Sequence, residues 1–207
     1  MRKFGIILMT IAVMALFPWS ASATVIDFED LAVSGSANDI GGDRTSRGFF
    51  FDSLTNHTHI ATNSFSGNSG SSFLVTDDFR GFNTTKMTML GGGTFGLASI
   101  DLGEWNPSDG VGTTITATGA LFGGGVVVQS FTLDGIVSMG GSNNFETFLF
   151  SGFSNLTDVT FRATAGTGVR YWAMDNITTG VVEPGTMLLF GAGLAGLGFV
   201  RRRRPSA

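Results

Sequence analysis

Apolar and polar residues alternate with a period of two wherever the middle of this chain can be read. From 157 to 163, Val159, Phe161 and Ala163 fall on one side, while Asp158, Thr160 and Arg162 fall on the other. From 113 to 121, Ile115, Ala117 and Leu121 oppose Thr114, Thr116 and Thr118. Alternation of this kind, rich in Thr and Val, predicts half-buried antiparallel strands. The same pattern predicts strands at 25–28, 48–51, 57–61, 72–76, 86–90, 94–102, 126–133, 145–150 and 169–177. Glycine pairs and triplets at 41–42, 91–93, 123–125 and 140–141 punctuate them as turns. No helical periodicity of useful length intervenes. About ten short strands in roughly 155 residues predict an all-β fold, a single antiparallel β-sandwich wired as a jelly roll.

The two ends break the pattern. Arg2 and Lys3 precede an apolar run from Phe4 to Phe17, and Ala21-Ser22-Ala23 offers small residues for cleavage. This is the layout of a secretory signal peptide, so residues 1–23 are expected to form a signal helix removed by signal peptidase, with Ala21 and Ala23 as the small residues of the cleavage site and Thr24 as the mature start. At the other end, Val182-Glu183-Pro184-Gly185 leads into an apolar, Gly-rich stretch from Met187 to Val200, followed by Arg201, Arg202, Arg203 and Arg204. That stretch is shorter than the ~20 residues a spanning helix usually needs. The arginines would hold its end on the cytoplasmic side. A short hydrophobic helix before a stop-transfer cluster fits a transient membrane anchor that is read and cut, as a GPI signal is. The expected organisation is signal peptide 1–23, sandwich 24–180 and sorting tail 181–207.

Glu-Pro, a short Gly/Ala/Leu helix and a terminal Arg cluster together resemble the PEP-CTERM sorting signal of Gram-negative bacteria, with Val182 where the first Pro of that motif stands. The resemblance implies processing by an exosortase-type enzyme. The implied route is export, transient anchoring in the inner membrane, and release to the cell surface, outer envelope or extracellular matrix. The middle of the chain is also similar to PEP-CTERM ectodomains, in the series Phe95-Gly96-Leu97-Ala98-Ser99-Ile100-Asp101-Leu102, Ile115-Thr116-Ala117-Thr118-Gly119, Val127 to Asp134, Phe150 to Phe161 and Met174-Asp175-Asn176-Ile177. That similarity implies a galactose-binding-like jelly roll.

Composition and charge narrow the chemistry. There are 31 Gly, 20 Phe and no Cys, with only 14% charged residues, which excludes coiled coils, disulfide scaffolds and thiolate metal sites. Between 24 and 180, six basic residues face fifteen acidic ones, a net charge of −9. Such a domain is a poor ligand for phosphate backbones, so nucleic acid is not an expected partner. Acidic character suits calcium, which takes 6–8 oxygen ligands. In jelly rolls the first and last strands are often neighbours. A calcium ion held by Asp27, Glu29 and Asp30 from the first strand, with Asp175 and Asn176 from the last, is therefore a candidate cofactor.

Other candidates are weaker. Trp105 and Tyr171 could stack on sugar rings, and Phe79 and Phe82 flank a turn at Arg80-Gly81. His57 and His59 share a strand face but lack further ligands by spacing, so an ordinary exposed pair is expected. No Gly-x-Ser-x-Gly, His-Glu-x-x-His or P-loop motif occurs. The resulting expectation is a non-catalytic, exported surface or matrix module associated with exopolysaccharide in a biofilm. A calcium-dependent lectin is the alternative, and a small glycoside hydrolase a third.

Overall fold

Twelve strands build the described part of the chain: β1 (Val25–Ile26), β2 (Arg44–Ser46), β3 (Phe49–Ser53), β4 (Thr58–Ala61), β5 (Phe73–Thr76), β6 (Thr84–Met89), β7 (Gly96–Glu104), β8 (Thr114–Leu121), β9 (Val126–Thr132), β10 (Glu146–Leu149), β11 (Leu156–Thr164) and β12 (Trp172–Gly180). The computed structural model describes residues 23–31, 42–54, 58–61, 71–76, 83–105, 112–136, 144–164 and 171–180. The expected signal helix, the sorting tail, His57, Phe79 and Phe82 lie outside those residues. Among the described residues the one helical element is a 3-10 turn, Glu29–Leu31.

Every strand pairing is antiparallel. One sheet runs β10-β7-β12-β5-β4, with β1 also on β12; the other runs β2-β3-β6-β11-β8-β9. After β3 the chain crosses between sheets at most connections, as a jelly-roll sandwich requires. The sequence anticipates all of these strands except β2. Arg44-Thr45-Ser46 has no apolar periodicity; it is a strand because it pairs with β3, Ser46 opposite Phe49. The two-residue turn between them, Arg47-Gly48, has φ of 48° and 85°. Positive φ at both central positions is what a twisted two-residue hairpin demands.

The inward faces are those the alternation assigns. Ile115, Ala117, Val159 and Phe161 are fully buried, and Ala163 nearly so. They pack in one inter-sheet core with Ile100, Leu102, Trp172 and Met174 of the opposite sheet. Each large side chain buried there contributes about 1.5–3 kcal/mol over exposure.

A second, smaller core was not anticipated. Phe73, Val75, Trp105, Tyr171 and Ala173 cluster together, with Phe145 against them. Their strand neighbours Leu74, Trp172 and Met174 belong to the main core. Successive side chains point to opposite faces. At β5 and β12, therefore, the first sheet is covered on both sides. That explains why β5, Phe-Leu-Val-Thr, is buried at all four positions and does not alternate.

Candidate metal and ligand sites

The first and last strands meet. Val25 lies opposite Thr178 and Ile26 opposite Ile177. Beyond β1 the chain turns at Phe28, which has φ of 53°, is fully buried and sets its ring 5.1 Å from that of Phe51. A bulky residue in the left-handed region is strained and persists only where packing holds it. Here the Phe28 ring is the anchor, and the turn sends the flanking acids in different directions.

Asp27 goes to Arg47, with Nε to Oδ1 at 3.0 Å and Nη2 to Oδ2 at 3.2 Å. This two-pronged hydrogen bond holds the Asp27 carboxyl below the ordinary range. Asp30 accepts from Ser46 Oγ at 2.6 Å and from the Arg47 amide at 3.0 Å. Both acids therefore secure the β2–β3 turn. Glu29 instead accepts the Ser72 amide at 2.7 Å. Asp175 is fully buried; its Oδ2 accepts from Ser71 Oγ at 2.6 Å and its Oδ1 from the Asn176 amide at 2.7 Å. Asn176 sits at a bulge in β12 with φ of 45°, and its Nδ2 donates to Asp101 at 3.0 Å. The expected five-residue set is thus divided. Glu29 and Asp175 converge on the consecutive residues Ser71 and Ser72, whereas Asp27 and Asp30 are drawn off by Arg47 and Ser46.

The proposed sugar platform requires a correction. Trp105 is 8% exposed and Tyr171 7%, both inside the second core, with Trp105 edge-on to Phe73 at 5.7 Å. A stacking residue must offer a ring face to its ligand, and these rings pack against other side chains. Two-sided coverage of the sheet, which buries both rings, cannot be read from alternation. His59 lies in β4 opposite Val75.

The structure assembles a cluster that the sequence did not single out. Among the described residues, Glu104, Asp134 and Glu146 form the one group of three potential metal ligands whose donor atoms all lie within 4.8 Å of one another. Glu104 is the last residue of β7 and Glu146 the first of β10, where it stands opposite Leu102. Leu102 and Glu104, two apart on a strand, share a face. Asp134 follows β9, directly after Leu133, whose amide donates to the Thr113 carbonyl at 2.9 Å. Glu104 Oε1 accepts the Gly135 amide at 2.7 Å, and Glu146 Oε1 accepts the Asp134 amide at 2.9 Å. Glu104 is 2% exposed, and burial pushes its carboxyl above the ordinary range; the Gly135 hydrogen bond opposes that shift, and the charges of Asp134 and Glu146 add to it.

Residues 183–204 match the family model described as the PEP-CTERM protein-sorting motif. No curated protein matches the chain by sequence. Among solved structures the chain is similar to an exo-beta-agarase at 10% identity and a TM-score of 0.46, over 79% of this chain and 25% of that one. It is also similar to CBM29_1, a family 29 carbohydrate binding module from Piromyces equi, at 13% identity and a TM-score of 0.42, over 81% and 95%. A family 30 carbohydrate binding module gives 13% identity and a TM-score of 0.39, over 77% and 99%. The chain carries a PEP-CTERM sorting signal, the mark of an exported protein with a C-terminal membrane-anchoring tail.

Proposed function

We propose that this chain is an exported bacterial surface or matrix protein whose non-catalytic β-sandwich associates with extracellular polysaccharide after an exosortase-type enzyme removes its tail. The observation that carries the reading is the sorting motif at 183–204, which begins three residues after β12 ends at Gly180. Cutting at the motif would leave every strand of the sandwich in place.

Support for polysaccharide comes from the outer face of the second sheet. Thr114, Thr116 and Thr118 alternate with the buried Ile115 and Ala117, so their hydroxyls face outward. Thr114 and Thr132 share a 3.1 Å hydrogen bond, Thr116 and Ser130 one of 3.0 Å, and Thr160 stands opposite Thr118. A broad face of hydroxyls can exchange hydrogen bonds with a neutral glycan without burying charge.

Calcium enters this reading at Glu29 and Asp175 beside Ser71 and Ser72. A fully buried carboxylate on the last strand and a second one on the first-strand side offer the hard oxygens that ion prefers. Among the described residues, Glu104 and Glu146 are two carboxylates brought close enough together to be considered for hydrolysis. Glu104 at 2% exposure cannot reach a glycosidic oxygen, so we assign that pair no hydrolytic role.

Intact-mass measurement of the protein from its native host tests the sorting half. Loss of Met187 to Ala207 is expected, together with retention of the tail in Glu183→Ala or Pro184→Ala and mislocalisation when Arg201 to Arg204 become Ser. Native protein that keeps the tail sinks the proposal. A glycan array run with calcium and with EDTA tests the polysaccharide half. Absence of binding in both removes it.

A further inference from the structure

We propose that Glu104, Asp134 and Glu146 bind a divalent cation of calcium-like chemistry that ties together the ends of β7, β9 and β10. This site is separate from the sorting tail and from Glu29 and Asp175.

The ligand atoms are all carboxylate oxygens within 4.8 Å of one another, a donor set suited to a hard cation. An independent observation points to the same place: Glu104 Oε2 is buried and has no hydrogen-bond partner. The backbone amides of Gly135 and Asp134 occupy one oxygen each of Glu104 and Glu146, and the Ile136 amide takes Asp134 Oδ1 at 2.8 Å. These bonds fix the three carboxylates in orientation and leave an oxygen of each for a further partner. A buried carboxylate oxygen left without a donor is costly, and a cation supplies what the amides do not. Two further buried polar atoms without partners lie in segments that meet here. Thr113 Oγ1 belongs to the residue whose carbonyl accepts the Leu133 amide, and Asn144 Nδ2 lies two residues before Glu146.

The placement gives the ion a structural role. β9 and β10 are edge strands of opposite sheets. Their facing edges touch through Phe131 and Phe148, with ring centroids 4.9 Å apart. Gln129 bridges them at one end, donating to the Leu149 carbonyl at 2.8 Å and accepting the Ser151 amide at 3.0 Å. The carboxylate cluster stands at the other end. A bound cation there would close the seam between the sheets where hydrogen bonds between carboxylates cannot form. Gly135, with φ of 80°, lets the chain turn so that its amide meets Glu104.

Terbium(III) serves as the calcium probe, with the full chain in mild detergent and emission excited through tryptophan, since Trp105 adjoins Glu104. One luminescent Tb³⁺ at this site, displaced by calcium, is expected even in Asp175→Asn, in which the Glu29–Asp175 pair is broken. Glu104→Gln and Asp134→Asn should each weaken calcium binding at least tenfold in equilibrium dialysis, whereas Asp175→Asn should leave the tryptophan-sensitised emission in place. Should Glu104→Gln fail to fold by circular dichroism, the exposed Asp134→Asn decides the matter. Wild-type calcium binding absent in dialysis, or unchanged in the folded variants, overturns the proposal. Tail processing, read by mass, does not depend on any of these results.

Discussion

Thr76 and Thr85 share a hydrogen bond 2.8 Å long, hydroxyl to hydroxyl, between β5 of one sheet and β6 of the other, with both residues fully buried. It is a buried polar link between the two sheets. Each hydroxyl is acceptable there only because the other is present. Thr85→Val alone should destabilise the domain by about 1–3 kcal/mol, because it strands the Thr76 hydroxyl. The double variant Thr76→Val/Thr85→Val should recover most of that loss. A thermal-melting double-mutant cycle reads the coupling, and additive single losses would show that the two hydroxyls act independently.

Asn176 combines a backbone and a side-chain task. Asp175 and Asp101 stand directly opposite each other on β12 and β7, a pairing of like charges that strands disfavour. The Asn176 amide lies between them, 3.0 Å from Asp101 Oδ2 and 3.5 Å from Asp175 Oδ2, from a backbone with φ of 45°. Asn tolerates this left-handed conformation and Ala does not. Asn176→Ala should cost about 2–4 kcal/mol, the sum of backbone strain and lost charge-assisted bonds. Asn176→Gly should recover the backbone share alone. Equal melting temperatures for the two variants would mean that the conformation carries no cost.

Gly119 is required by contact. A Cβ there would stand 2.6 Å from Leu156 Cδ2 and 3.1 Å from Val127 Cγ1, and Leu156 is fully buried. Gly119→Ala should therefore lower stability by about 1–3 kcal/mol through overpacking. At this domain size that is roughly 2–12 °C in melting temperature. Gly180→Ala, where the nearest atom would be 3.6 Å away, is the control and should melt like the wild type.

Glu104 provides a pH test whose sign reverses with metal. Its folded carboxyl is raised above the ordinary glutamate range, chiefly by burial, with Asp134 and Glu146 facing it. In chelator the native state then holds a proton that the unfolded chain gives up, so the Glu104 contribution to stability is greatest below about pH 4.5 and falls as pH rises through the raised value. Glu104→Gln is free of that loss and should melt above the wild type in EDTA at neutral pH, by about 2–4 °C for each kcal/mol relieved. In saturating calcium the order should invert. Parallel melting curves for the two proteins from pH 4 to 8 in EDTA would remove Glu104 as the source.

The local pattern of the chain determined most of its strands, their inward faces and its sorting tail. Val159, Phe161, Ala163, Ile115 and Ala117 point inward because a half-buried sheet needs apolar side chains at every second position, and that need is written into consecutive residues. The sorting signal was legible for the same reason, since Glu183 to Arg204 is one contiguous segment. Which strands become neighbours was left to the tertiary structure. β2 exists only as the partner of β3. Trp105 and Tyr171 became core residues because one sheet is covered on both faces. Arg47 drew Asp27 away from the acids that neighbour it in the sequence. Glu104, Asp134 and Glu146 meet because β10 pairs with β7 and the edge strand β9 faces it from the other sheet. Periodicity reports whether one side chain is buried; the approach of three carboxylates depends on pairings between distant segments, where no local spacing records it.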